Sequence, residues 1–173
     1  MALQLDPEHW RAIAQAVVAG YPREACGLLV GHRVLAAEDP TDETDRTVTA
    51  VVPVANAWDS SRQDYTDGEA EGQAHSQRDR YWIDPADLLA VQRQARQQGL
   101  EIIGIYHSHP DHPAVPSECD RALAWPVYSY VIVSVVQGRV AALNSWRLDE
   151  HSQFQPEAVK MIEPSANKAP FLS

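Results

Sequence analysis

The sequence is poor in cysteine. Cys26 and Cys119 are the only cysteines among 173 residues, and they do not form a Cys-x-x-Cys pair. Two cysteines do not make the disulfide framework of a small secreted domain, so we expect reduced thiols. Cys26 lies in an apolar run, where a packing role is expected, and Cys119 is expected to point away from the side of its helix that carries Asp120.

The sequence also lacks the features of membrane and exported proteins. No apolar run approaches the roughly 18 residues that a membrane-spanning helix needs. The N-terminus has no basic flank followed by an apolar signal core. We therefore predict a cytoplasmic protein without a membrane partner.

Positive charge is scarce. The chain has 14 lysine and arginine residues against 24 aspartate and glutamate residues, which gives a formal net charge of -10. Nucleic-acid binding depends on cationic side chains that neutralise phosphates, so the composition argues against a nucleic-acid partner. The hydrophobic fraction of 45% is that of a globular protein, and the length fits one domain.

Helical and strand patterns follow one another along the chain. The pairs Asp6-Pro7 and Asp84-Pro85 each combine an N-cap residue with a proline at the first helical position, and the two predicted helices end at Gly20 and Gly99. Apolar and β-rich runs predict the strands, which cover residues 25–31, 47–54, 100–106, 128–136 and 140–148.

Two segments show no clear pattern. Residues 55–80 form a long polar stretch that contains Trp58 and Tyr65, and such a loop is either a lid over a site or disordered. Residues 151–173 contain three prolines and form a C-terminal tail that either packs on the domain or frays. The predicted domain therefore spans residues 1–150.

The residues that carry chemistry follow the strand at 100–106. His107 and His109 alternate with Ser108, so a strand that continues through them would place Ile103, Ile105 and both histidines on one side. Ser117 suits the cap of a new helix, and Asp120 would lie in its first turn. Two histidines and a carboxylate leave one position for water, which is typical of catalytic zinc.

Alternatives to this interpretation exist at each position. Ser117-x-x-Asp120 is also a capping-box pattern, in which both residues only satisfy backbone donors. The helical zinc-protease motif His-Glu-x-x-His is absent, so a general base must come from elsewhere in the chain. The spacing does not separate the candidates for that base, which are Glu24, Asp111 and Glu118. His112 is expected to be a solvated loop residue.

The chain resembles the JAMM (MPN+, Mov34/PAD-1) metalloprotease family in its short bacterial stand-alone form. The resemblance rests on the run from His107 to Pro110, on Ser117 and Asp120, and on the glutamate-led run 24–31; in outline it covers residues 5–148. It implies a single-domain α/β layered fold with a central mixed β-sheet flanked by helices, related in outline to cytidine deaminases.

The resemblance also implies roles for the residues. His107, His109 and Asp120 would bind one zinc ion that carries a catalytic water. Glu24 would take the proton of that water and pass it to the leaving amine, and Ser117 would help to hold the oxyanion. Every position of the family motif is filled, so an inactive member is disfavoured.

The implied function is hydrolysis of a peptide or isopeptide bond at the C-terminus of a ubiquitin-like or sulfur-carrier protein of the β-grasp type. A non-catalytic module that binds a ubiquitin-like partner is one alternative, but its expected sign would be a missing ligand. A RadC-like, DNA-linked protein is another. Its histidines flank an asparagine, unlike the run from His107 to Asp111 in this chain, and the acidic composition also argues against it.

Overall fold

The structure is a computed structural model that describes residues 1–35, 43–62, 74–164 and 171. Seven strands, three α-helices and one short 3-10 helix make up this part of the chain. In chain order they are β1 (Ala2–Leu5), α1 (Pro7–Gly20), β2 (Cys26–Leu35), β3 (Glu43–Val54), the 3-10 helix (Ser60–Arg62), α2 (Pro85–Gln97), β4 (Glu101–Pro110), α3 (Glu118–Leu123), β5 (Ser129–Val136), β6 (Arg139–Leu148) and β7 (Phe154–Met161).

The strands form one sheet in the order β1-β3-β2-β4-β5-β6-β7, which closes on itself because β1 pairs with both β3 and β7. The pairs β1–β3, β1–β7 and β4–β5 are parallel, and the other pairs are antiparallel. The predicted α/β fold with a central mixed sheet is thus confirmed. The closure of the sheet was not part of the prediction.

The sequence pattern did not predict β1 and β7. β1 has only four residues, which is too short for a periodic signal. β7 contains Pro156, and most of its side chains are exposed or half-buried, with Glu157 as its buried residue. A strand with little buried apolar surface leaves no alternating pattern, and pairing with β6 and β1 is what holds β7 in place.

Both predicted helix starts are present as expected. The carboxylate of Asp6 accepts hydrogen bonds from the backbone N–H groups of Glu8 and His9, and that of Asp84 accepts one from Ala86 N–H. Each helix begins at the proline that follows its cap. After α2, Gly99 has a φ of +69°, a left-handed conformation that favours glycine.

Apolar side chains form two clusters on opposite faces of the central strands. In β2, Leu29 belongs to the cluster covered by α1, whereas its neighbours Leu28 and Val30 belong to the cluster covered by α2. This alternation is the period of two that a strand buried on both faces produces. A side chain at Gly27 would meet the ring of Tyr106 at 2.3 Å, so glycine there lets that ring pack against β2.

The prediction that Ile103 and Ile105 lie on the same face of β4 is wrong. Ile105 packs in the α2 cluster, but Ile103 packs in the α1 cluster on the other face. The register between β2 and β4 shifts here, since Leu29 pairs with Gly104 and Val30 pairs with Ile102. The bulge gives β4 one extra residue and so reverses the alternation before Ile105.

β4 is longer than predicted and runs through the histidines to Pro110, where β2 and β5 flank it. The long polar stretch at 55–80 falls partly outside the described residues, and Tyr65 lies in the part that is left out. In the described part of the long stretch, Trp58 is buried. No described helix combines the length and the apolar character that crossing a membrane requires.

The Asp84 cap gives a test of the fold. Replacing Asp84 with alanine removes the acceptor for Ala86 N–H, so we expect the free energy of unfolding to fall by about 1 kcal/mol in urea denaturation. Asp84→Asn keeps an acceptor and should stay close to wild type. Equal losses in both variants would contradict a capping role.

Candidate metal centre

Three side chains that could hold a metal ion converge at the end of β4. The Nε2 atoms of His107 and His109 lie 3.0 Å apart, which requires both imidazoles to project from the same side of the strand. Asp120 approaches from α3, with Oδ1 3.1 Å from His107 Nε2 and Oδ2 3.3 Å from His109 Nε2. The predicted ligand set therefore forms one cluster.

The separation of these donor atoms fits a small cation. A tetrahedral ion with ligands about 2.0 Å away separates neighbouring donor atoms by about 3.3 Å. The 3.0 Å between the two imidazole nitrogens is close to that value, and each nitrogen has one oxygen of the Asp120 carboxylate nearby, Oδ1 at 3.1 Å from His107 and Oδ2 at 3.3 Å from His109. Two imidazole nitrogens and one carboxylate oxygen are also donors that transition metals and zinc accept.

Asp120 has two functions at once. Its Oδ2 accepts hydrogen bonds from the backbone N–H and the hydroxyl of Ser117, at 2.7 and 2.8 Å, and Asp120 N–H donates back to Ser117 Oγ at 3.1 Å. This is the complete capping box of α3. Because the same carboxylate faces both histidines, the capping and ligand interpretations of the sequence are compatible.

The surroundings of His107 favour its neutral, ligand-competent form, and those of His109 orient its ring. Burial lowers the pKa of His107 because the charged imidazolium loses its hydration, although Asp120 opposes this effect. The ring of Tyr81 stacks on His107 with centroids 4.4 Å apart. The carbonyl of Pro113 lies 2.8 Å from His109 Nδ1 and can accept a hydrogen bond from Nδ1–H, the tautomer that leaves Nε2 available as a ligand atom.

The aspartate is held in the ionised form. Burial by itself would raise the pKa of Asp120, but the charge and the hydrogen bonds of His107 and His109 outweigh it and lower the pKa well below the usual range. A buried carboxylate that stays ionised carries the negative charge that attracts a cation.

Glu24 lies beside this cluster, 83 positions before His107. Its side chain is buried and lines a small cleft together with Ser117, Asp120 and Arg80. The next residue fixes its position on β4, since Ala25 N–H donates to Ser108 Oγ at 2.8 Å and Ser108 N–H donates to Ala25 O at 2.9 Å. The serine between the histidines therefore ties the Glu24 segment to the ligand strand.

Burial raises the pKa of Glu24 well above its ordinary value, because the charged carboxylate loses its hydration. The negative charges of Asp120 and Asp79 act in the same direction, and the positive charge of Arg80 acts against them. A raised carboxyl pKa beside a cluster of metal-ligand type is the kind of perturbation found at functional sites.

The other two candidate bases have different partners. Asp111 accepts hydrogen bonds from the hydroxyl of Tyr21 and the backbone N–H of Gln137, and it is exposed. Glu118 is exposed and pairs with the guanidinium of Arg121. Of the three candidates, Glu24 is the one that the structure brings into the cleft beside Asp120.

Cys26 and His112 match the roles expected from the sequence, and Cys119 does not. Cys26 is buried, and burial raises the pKa of its thiol to about 12, in line with the packing role expected for it. His112 is exposed. Cys119 differs from the expectation, because it lines the cleft with Glu24 and Asp120. The first turn of a short helix presents two consecutive residues to one concave surface.

Sequence patterns missed the residues that surround the ligands. Tyr81 and Arg80 lie in the polar stretch that follows the residues left undescribed at 63–73, and no periodicity marks them. Ser108 was visible only as the spacer between the histidines. Their roles depend on contacts with residues far away in sequence, which local patterns do not record.

Comparisons with known proteins agree with this geometry. Residues 6–149 match the family described as prokaryotic homologues of the JAB domain. A desampylase of Haloferax volcanii is 35% identical over 130 residues, which cover 75% of this chain and 73% of that protein. A probable TtuB-protein conjugate cleaving protease of Thermus thermophilus is 43% identical over 53 residues, 30% of this chain and 35% of that protein. The solution structure of a protein from Desulfitobacterium hafniense superposes with a TM-score of 0.71 at 25% identity and covers 95% of each chain.

The raised pKa of Glu24 predicts a pH-dependent stability in the metal-free protein. At pH values between the ordinary glutamate pKa of 4.5 and the raised pKa of Glu24, the folded chain holds a proton that the unfolded chain has released. The free energy of unfolding of the wild type therefore falls as pH rises through this window, by at most about 1.4 kcal/mol per pH unit. Glu24→Gln lacks this proton, so its stability relative to wild type should increase with pH.

Urea denaturation in the presence of a chelator, from about pH 5 to about pH 8, measures this difference. Glu118→Gln is the matched control, because its carboxylate is exposed and its pKa is lowered by the hydrogen bond with Arg121. A constant difference between wild type and Glu24→Gln across the range would contradict the raised pKa.

Proposed function

This chain belongs to the prokaryotic homologues of the JAB domain, and we propose that it is a zinc-dependent metallopeptidase that cleaves conjugates of ubiquitin-like, sulfur-carrier proteins at their C-terminus. The observation that carries the proposal is the convergence of His107, His109 and Asp120, whose donor atoms lie within 4.8 Å of one another, with Glu24 in the adjoining cleft. The family match and the cluster of metal-ligand side chains with a nearby carboxyl group both support a hydrolytic function.

We propose zinc as the metal because of the donor set. Catalytic zinc sites hold three protein ligands of the histidine and carboxylate type and keep a fourth position open. His107, His109 and Asp120 would be those ligands, and each is already oriented by a contact of its own. Tyr81 stacks on the first, the Pro113 carbonyl lies against the second, and Ser117 donates to the third.

The residues divide the work of hydrolysis. Bound zinc supplies a Lewis acid that lowers the pKa of water and polarises the scissile carbonyl. Glu24 acts as the general base and acid: its carboxylate takes the proton of the attacking water and returns it to the nitrogen of the leaving amine. Burial raises the pKa of this carboxyl, and a carboxylate with a raised pKa is a stronger base. The hydroxyl of Ser117 donates to Asp120 Oδ2 in the resting structure; in the proposed mechanism it turns to donate to the carbonyl oxygen as negative charge develops there, while Ser117 N–H keeps its bond to Asp120.

The substrate class rests on the relatives. One related protein is named a desampylase and another a probable protease for TtuB-protein conjugates. A ubiquitin-like protein joined to its target by a C-terminal amide bond is the substrate that the family resemblance implies for this chain. The cytoplasmic location and the absence of a nucleic-acid partner are predictions from the composition.

A purely binding module is the weaker proposal, because its expected sign is a missing ligand and His107, His109 and Asp120 are all present. No contact among the described residues favours it over catalysis.

Zinc content gives the first test. Protein purified without chelators should contain about one zinc ion per chain by elemental analysis. His109→Ala and Asp120→Ala remove a ligand each and should lose most of the metal. His112→Ala is the matched control, because this histidine is exposed and its removal should leave zinc content unchanged. Equal zinc in all variants would contradict the assigned ligands.

Activity gives the second test. A sulfur-carrier protein fused through its C-terminal glycine to a reporter peptide should be hydrolysed by the wild type. Glu24→Gln should retain zinc and lower kcat about 100-fold to 10,000-fold, since the proton carrier is lost. Glu118→Gln and Asp111→Asn should stay near wild type. A Glu24→Gln variant with zinc and full activity would rule out the assigned base.

A further inference from the structure

The carboxamide of Asn56, just past the end of β3, is fully hydrogen-bonded to backbone groups. Its Nδ2 donates to the carbonyls of Glu24 and Arg80 at 3.0 and 2.9 Å. Its Oδ1 accepts from the N–H groups of Trp58 and Trp82 at 3.0 and 3.1 Å. Two donors and two acceptor sites are all that an asparagine side chain has.

The partners fix the orientation of this side chain. Backbone carbonyls only accept and backbone N–H groups only donate, so a flipped amide would lose all four bonds. The partners are also distant in sequence, 32 residues away for Glu24 and 24 for Arg80. Such a residue joins separate segments of the chain rather than stabilising a local turn.

The segments that Asn56 joins both reach the candidate metal centre. One is Glu24, whose carboxylate lines the cleft beside Asp120. The other is the stretch around Tyr81, whose two neighbours both bind Asn56 and whose ring stacks on His107. The same contacts fix the backbone of Arg80, which lines the cleft as well.

Neither segment has regular secondary structure to hold it. Glu24 precedes the first residue of β2, and the described segment 74–84 contains turns but no helix or strand. Gln77 extends the network, because its carbonyl accepts from Glu24 N–H at 2.6 Å and its side chain donates to the carbonyls of Asn56 and Trp58. Hydrogen bonds from the side chains of Asn56 and Gln77 to backbone groups therefore hold these segments in place of strand pairing.

We propose that Asn56 is a positioning residue that holds Glu24 and Tyr81 at fixed places around the metal ligands. This role depends on the proposed function, because it concerns the geometry of the general base. Displacement of a catalytic group by about 1 Å costs about 100-fold in rate. Asn56 lines the neighbouring pocket with Glu24 and Gln77 but not the cleft beside Asp120, and all four of its side-chain bonds go to backbone groups, so it acts through the residues it holds.

Two substitutions distinguish the acceptor function of the Asn56 carboxamide oxygen from the donor function of its nitrogen. Asn56→Asp keeps an oxygen that accepts from Trp58 and Trp82, but it replaces the donor with an oxygen that faces the carbonyls of Glu24 and Arg80. Asn56→Ala removes all four bonds. Asp84→Ala is the control for general destabilisation, because it removes a helix cap and no residue of the site.

We expect both Asn56 variants to bind zinc as the wild type does and to lower kcat about 100-fold, with KM within about threefold. Asp84→Ala should keep the kcat of the wild type. If Asn56→Asp keeps kcat within about threefold of wild type, or if Asp84→Ala falls equally far, Asn56 has no positioning role.

Amide hydrogen exchange provides a readout without activity. In metal-free Asn56→Ala, exchange of the Glu24, Trp58 and Trp82 amides should accelerate about tenfold, whereas the Ser108 amide, bound to Ala25 O in the β4 pairing, should not change. In Asn56→Asp the Trp58 and Trp82 amides should stay protected while the Glu24 amide accelerates.

The two proposals fail in different ways. If the wild type holds zinc but hydrolyses no carrier fusion, the proposed function fails, and hydrogen exchange then decides the role of Asn56. Unchanged exchange of the Glu24 and Trp82 amides in Asn56→Ala would overturn the positioning role, whatever the substrate.

Discussion

The pairing of β2 with β4 is the interaction on which the metal centre depends. Cys26 pairs with His107, and the preceding Ala25 exchanges hydrogen bonds with Ser108 through its N–H and its carbonyl. These contacts bring Glu24 beside ligands that lie more than eighty residues later in the chain. Because β4 is also paired with β5 along the histidines, the ligand strand is held on both edges and cannot slide in register.

The charges in the cleft explain why the site suits a cation. Three carboxylates, those of Glu24, Asp79 and Asp120, lie near one another, with Arg80 as the cation of the cleft. Burial, and after it the negative charges of Asp120 and Asp79, raises the pKa of Glu24. Asp120 stays ionised because His107, His109 and Ser117 surround it. The result is two carboxyl groups in one cleft with opposite protonation tendencies, which is a typical arrangement for acid–base chemistry.

The capping box of α3 and the metal-ligand set share a residue, and this sharing has a structural benefit. The Ser117 bonds fix the rotamer of Asp120 as they satisfy the helix terminus. A ligand that is oriented before a cation arrives loses less conformational entropy when it binds. The Pro113 carbonyl at His109 and the Tyr81 ring at His107 act in the same way on the other two ligands.

The sequence by itself determined the features that depend on neighbours along the chain. Helix starts at Asp6 and Asp84 follow from local capping chemistry. The prediction that His107, His109 and Asp120 form one ligand set follows from their residue types and their spacing on a strand and a helix. Tertiary structure decided the rest. Pairing between distant segments produces the bulge that moves Ile103 to the other face and the strands β1 and β7. It also places Glu24, rather than Asp111 or Glu118, beside Asp120 and sets the contacts of Asn56. Local periodicity records which face a residue occupies, but it contains no information about which distant backbone group lies opposite.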